Sequence, residues 1–167
     1  KVGAYTTVVG RYTTRATGVD GWGTVTVSTT YGKSVRKDGA SEFSTGVYTT
    51  TSESNYYGIL TTQNTYGRSF NKITVGGSDV SRPTGSYTTT ATLIDNWGTV
   101  KKSSTFGRSF KVDTTSPVAN YDLDGNGTND SEYVLTGKYS TYAENNTYGT
   151  LVSQQTYGRN YSQIRGT

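Results

Sequence analysis

The stretch TTYGKSV at residues 29–35 recurs as NTYGRSF at 64–70, STFGRSF at 104–110 and QTYGRNY at 155–161. Each copy holds an aromatic, a glycine, a cation and, two residues past the cation, a large apolar or aromatic side chain. Two further phrases keep step with it. GRYTT, GVYTT, GSYTT and GKYST open at Gly10, Gly46, Gly85 and Gly137, and WGTV, YGIL, WGTV and YGTL begin at Trp22, Tyr57, Trp97 and Tyr148. The aromatic of the second phrase precedes that of the third by nine residues in all four copies. A spacing kept four times marks an internal repeat. Unit starts lie 36, 39 and 52 residues apart. Units one and three share Asp-x-Trp-Gly-Thr-Val at Asp20 and Asp95, whereas units two and four share TQNTYGR and SQQTYGR, so the order is ABAB.

Each unit reads as a β-hairpin. The first strand starts at Gly-x-Tyr-Thr-Thr, and the turn falls in TGVDG, SESN, LIDN or AENN, which carry the Gly, Asn and Asp that tight turns need. The return strand then runs from the Trp/Tyr-Gly through the third phrase. Along it Val25, Tyr31 and Val35 are separated by even numbers, as are Leu60, Tyr66 and Phe70, then Val100, Phe106 and Phe110, then Leu151, Tyr157 and Tyr161. Even spacing puts them on one face, the expected core. Four hairpins give an all-β antiparallel fold of about eight strands, expected to be a sandwich or barrel with internal pseudo-symmetry. The divisions are an extra N-terminal strand at 1–9, repeats at 10–45, 46–84 and 85–116, an insertion at 117–136, and a fourth repeat at 137–167.

Composition agrees. Among 167 residues there are 15 Tyr, 2 Trp and 4 Phe but only 2 Pro, in a Thr-rich background suited to a half-buried pleated surface. Cys, His and Met are absent, which excludes thiol chemistry, classical zinc sites and Ser-His or Cys-His catalysis. The lack of Met points to a processed or excised product, and no signal peptide or transmembrane run is present, so membrane insertion is not expected. The Thr/Ser/Gly/Asn/Tyr balance resembles that of bacterial surface and secreted proteins, which sets an extracellular or cell-surface expectation. Net charge is +4, but the cations are scattered, which argues against nucleic acid as a partner.

The repeated cations Lys33, Arg68, Arg108 and Arg159 pose the sharper question. Strict alternation would place each on the face of the preceding aromatic. A bulge at the intervening glycine would turn it to solvent, and that is the expectation. Each cation then packs its stem over a neighbouring ring or joins a surface ladder for acidic glycans. Trp22, Tyr57, Trp97 and Tyr148 are candidate sugar-stacking rings in the same ladder. Asp20 and Asp95 form a symmetric carboxylate pair, but in turns such residues more simply shape the turn, and no convergent acid–base set supports an enzyme.

The insertion carries the one sharp chemical motif, YDLDGNGTNDSEY. Asp122, Asp124, Asn126 and Asp130 stand at positions 1, 3, 5 and 9, with the Thr128 carbonyl at position 7 and Gly127 at the sharp turn. Hard oxygen ligands at this spacing suit Ca²⁺. Position 12 is Tyr133 rather than the Glu of an EF-hand. The loop resembles the D-x-D-G-x-G-x-x-D calcium loops of extracellular β-repeat proteins of the integrin-type and FG-GAP-like kind. That resemblance covers the loop alone, and it implies a structural Ca²⁺ that stiffens the insertion.

Residues Val2, Gly3, Ala4, Tyr5, Thr6 and Thr7 copy the unit-opening phrase without a return strand behind it. A free segment of this kind can add to the sheet edge of another copy. The functional expectation is therefore a calcium-stabilised, extracellular structural or adhesive module that self-assembles into a homopolymer. A carbohydrate-binding module using the repeated aromatic and Arg positions is the alternative, with polysaccharide as the partner.

Overall fold

The computed structural model describes residues 8–38, 41–75, 77–112 and 133–162. They form eight strands: β1 (Gly10–Val19), β2 (Val25–Asp38), β3 (Ser41–Ser54), β4 (Leu60–Val75), β5 (Ser78–Ile94), β6 (Val100–Val112), β7 (Tyr133–Asn145) and β8 (Leu151–Asn160). Each pairs antiparallel with the next, so the spatial order is the chain order, β1 through β8. No helix is present among the described residues, hence none is long and apolar enough to cross a membrane.

The sheet is a single open layer. Among the described residues the expected sandwich or barrel is not formed: they make one eight-stranded sheet, no second sheet covers either face, and β1 does not pair with β8. The expected core face is open as well. Tyr31, Tyr66, Phe106 and Tyr157 are between 44% and 62% exposed. Among the described residues the buried hydrophobic side chains are Val35, Phe110 and Tyr133, at 4%, 5% and 7% exposure. Val35 and Phe110 lie on the far side of a register shift that recurs between Ser34 and Val35, Ser69 and Phe70, and Ser109 and Phe110. Thr45, Thr84 and Thr136 are the extra residues there, each just before a Gly on the partner strand. The bulge thus sits two residues past the expected glycine. It also explains how Pro83 is tolerated inside β5, an interior strand, because proline in a sheet is otherwise confined to edges and bulges.

The turns at the tips of the four repeats are built alike. Asp20 and Thr24 close a three-residue loop: Asp20 N–H donates to the Thr24 carbonyl at 3.0 Å and Gly23 N–H to the Asp20 carbonyl at 3.1 Å. The Asp20 carboxylate accepts from the N–H of Trp22 at 2.9 Å and of Thr24 at 2.8 Å. Gly23 takes φ of +86°, and Gly58, Gly98 and Gly149 take +77°, +81° and +77° at the same place. A residue with a Cβ is strained there, which is why this kind of hairpin ends on glycine. Asn55, Asp95 and Asn146 repeat the two side-chain bonds at 2.9–3.0 Å. The turn therefore lies two to three residues later than expected. Trp22, Tyr57, Trp97 and Tyr148 sit inside it rather than starting the return strand.

Candidate functional site

Because the register is unbroken between the tip turns and the bulges, residues line up in rows that cross all eight strands. On one face runs Thr14, Thr30, Thr50, Thr65, Thr89, Thr105, Thr141 and Thr156, one threonine per strand. Within each hairpin the hydroxyls of the facing pair are hydrogen-bonded at 2.8–2.9 Å. Two residues along, the same face carries alternating Tyr and Gly: Tyr12, Gly32, Tyr48, Gly67, Tyr87, Gly107, Tyr139 and Gly158. Here the rings of Tyr48, Tyr87 and Tyr139 each lie on the glycine of the strand before. A Cβ added to Gly32, Gly67 or Gly107 would collide with the ring of Tyr48, Tyr87 or Tyr139. The glycine leaves a gap in the pleat and the ring fills it.

The opposite face carries the chemistry. One row alternates small polar residues with rings: Thr13, Tyr31, Thr49, Tyr66, Thr88, Phe106, Ser140 and Tyr157. The parallel row two residues away reads Arg11, Lys33, Val47, Arg68, Ser86, Arg108, Lys138 and Arg159. Six of its eight positions are cationic. The expectation that a bulge would turn Lys33, Arg68, Arg108 and Arg159 away from the rings is overturned. Each glycine is in regular register, so cation and ring share a face. The cost is avoided because that face is wet. At two interstrand steps, neighbouring rings of the row are about 9.5 Å apart, and each cation lies about 7 Å along the strand from its ring.

Local contacts hold parts of this face in place. Arg68 Nε donates to the Tyr66 hydroxyl at 2.6 Å while the guanidinium carbon lies 5.6 Å from the ring centroid. The hydroxyl hydrogen bond and a ring contact within cation–π range thus hold the guanidinium together. Tyr142 stands between Phe106 and Tyr157 in edge contacts, with centroids 6.3 and 6.5 Å away. Arg11 makes a two-pronged contact with Glu42, at 2.7 and 3.1 Å. That hydrogen-bonded pairing raises the Arg11 pKa and lowers that of Glu42.

The other half of the expected ladder is elsewhere. Trp22 and Trp97 are 95% and 88% exposed, and Tyr57 and Tyr148 are exposed too, all on the tip turns along one rim of the sheet. Neighbouring turns touch, Gly58 approaching Thr24, Gly98 approaching Ile59 and Leu60, and Gly149 approaching Thr99. Six steps of strand and part of the turn separate each rim ring from the third-phrase ring, roughly 20 Å or more. The cations and the rim rings are thus two surfaces, not one site. Reading the repeats alone missed Arg11 and Lys138, which complete the cation row from the odd strands. Pairing Gly-x-Tyr-Thr-Thr against Thr-Tyr-Gly-Arg, with Tyr opposite Gly, was the signal that would have found them.

Asp20 and Asp95 are held below the usual carboxylate range, chiefly by the backbone N–H of Thr24 and Thr99. They shape turns, and the pair is not brought together. Asp122, Asp124, Asn126, Thr128 and Asp130, and residues Val2 to Thr7, lie outside the described residues. No family model, curated protein or solved structure matches the chain.

Proposed function

We propose that the protein is an extracellular adhesive module that holds a linear, acidic polysaccharide against its ring-and-cation face. The observation that supports this reading is the pair of in-register rows, Tyr31, Tyr66, Phe106 and Tyr157 beside Lys33, Arg68, Arg108 and Arg159. A sugar ring offers apolar C–H faces to a flat aromatic, and a uronate or sulfate offers oxygens to guanidinium and ammonium groups. Rings repeating about every 9.5 Å suit a polymer whose sugars also repeat, and the rows run open to both edges of the sheet. Several weak, equivalent contacts on one chain then add through effective concentration.

Native-gel affinity electrophoresis tests it, with a polyuronate and a neutral glucan cast in separate gels. Retardation by the polyuronate that weakens as salt rises is the expected result. Arg68→Ala, Arg108→Ala and Arg159→Ala should each reduce it, and the triple variant should remove it. Equal retardation by the neutral glucan would leave the rings as the site and discard the charge reading. No retardation in either gel would end the polysaccharide reading.

A further inference from the structure

The chain makes one kind of joint three times and, among the described residues, presents both halves of it unused. At the β2–β3, β4–β5 and β6–β7 joints, a Tyr ring covers the glycine of the preceding strand. Beyond it, Ser34, Ser69 and Ser109 oppose Gly46, Gly85 and Gly137, and past the bulge Val35, Phe70 and Phe110 meet the next strand. The last strand, β8, carries the same series as Gly158, Arg159, Asn160 and Tyr161. Among the described residues no ring lies on Gly158: a Cβ added there would meet only the Lys138 carbonyl at 3.6 Å and the Tyr139 Cβ at 3.8 Å.

The first strand, β1, carries the complement as Val8, Val9, Gly10, Arg11 and Tyr12. Tyr12 is 76% exposed, and Val8 and Val9 are 50% and 70% exposed. Tyr12 pairs with Gly32, but the ring on Gly32 is that of Tyr48. Among the described residues it has no glycine of its own to cover.

We infer that β8 of one molecule accepts β1 of a second copy, in the register of the internal joints. Gly158 would face Tyr12 and Asn160 would face Gly10. Val9 would take the bulge position of Thr45, Thr84 and Thr136, and Tyr161 would meet Val8. The contact continues an interface already built three times in the chain. Arg159 would oppose Arg11, which the β6–β7 joint tolerates in its own pairing of Arg108 with Lys138. Because the two edges differ, the joint is head to tail, and repetition extends the sheet into an open filament. This inference does not depend on the polysaccharide reading.

Two edge variants test it. Gly158→Val fits the isolated molecule, since its Cβ would meet only ordinary contacts, but it fills the place of the incoming ring. Tyr12→Ala removes that ring. Analytical ultracentrifugation of the full chain over rising concentration should show growing oligomers, and each variant should weaken association by about tenfold. For stoppered ends, Thr156→Pro on β8 and Thr14→Pro on β1 should each stay monomeric, and their equimolar mixture should stop at a dimer. Circular dichroism checks that each variant keeps its strands; where a proline variant fails that check, the Gly158→Val and Tyr12→Ala shifts decide the matter. A full chain monomeric at every concentration would overturn the inference, as would association unaffected by Gly158→Val and Tyr12→Ala. Self-association of either stoppered variant would mean like-edge pairing instead and would also overturn it.

Discussion

Strands within a hairpin and strands of neighbouring hairpins are joined by different devices in this sheet. Within a hairpin the joint is closed by the chain itself, through the Asp/Asn loop, its left-handed glycine and a threonine pair. Between hairpins the bulge and the ring on glycine set the register, far from the tip turns. The first device is local and repeats because its sequence repeats. The second is nonlocal and needs a glycine on one strand and a tyrosine on the next to arrive opposite each other. A sheet with almost no buried core depends on both, since there is little apolar burial to correct a slipped register.

The largest test of that contrast uses one substitution in two places. Gly107→Val drives a branched side chain into the space of the Tyr139 ring and should cost about 2 kcal/mol in urea unfolding. Gly158→Val, on a glycine without a ring, should be neutral or stabilise by up to about 1 kcal/mol at low protein concentration. Equal effects at both sites would remove the distinction. A double-mutant cycle sharpens it: Gly67→Ala and Tyr87→Ala should couple by about 1 kcal/mol, and simple additivity would mean that the ring contributes nothing through the glycine.

Within the hairpins, Gly58→Ala should cost about 1 kcal/mol through its positive φ, and Gly23, Gly98 and Gly149 should behave alike. A smaller effect separates the hairpins from one another. Asp20 and Asp95 titrate from below the usual carboxylate value, so their turns are stabilised above the unfolded-state pKa of about 3.9 and lose that support as pH falls through the lower folded value. Asn55 and Asn146 form the same loop and carry no such proton. Acid should therefore loosen the Trp22 and Trp97 turns before the Tyr57 and Tyr148 turns, as read by NMR of the ring resonances. Asp20→Asn with Asp95→Asn should abolish the difference.

The repeat, the all-β class and the four hairpins were legible because each is written in local spacing. The single layer was not. Tyr31, Tyr66, Phe106 and Tyr157 suggest a core by their even spacing, but Lys33, Arg68, Arg108 and Arg159 share their face and keep it wet. The bulge was misplaced for a related reason. Gly32 looks like a break within its own strand, and its partner, Tyr48, lies sixteen residues further along in the next hairpin. The turn was placed early because Asp20 and Asn55 mark where the loop begins, while Trp22 and Tyr57 look like strand residues. The cation row was half legible, since Arg11 and Lys138 belong to a different phrase of the repeat and join the others only through register.

The chain-order arrangement of the strands has a kinetic consequence. All-β domains usually fold slowly because strands distant in sequence must meet. Here every strand waits only for the one after it, so the sheet can be laid down hairpin by hairpin, each finished edge serving as the template for the next. The exception is the step from β6 to β7, which must close over residues 113–132. A longer connection costs more to close, so that step is the expected bottleneck, and deleting part of residues 113–132 should speed folding more than any change at the tip turns.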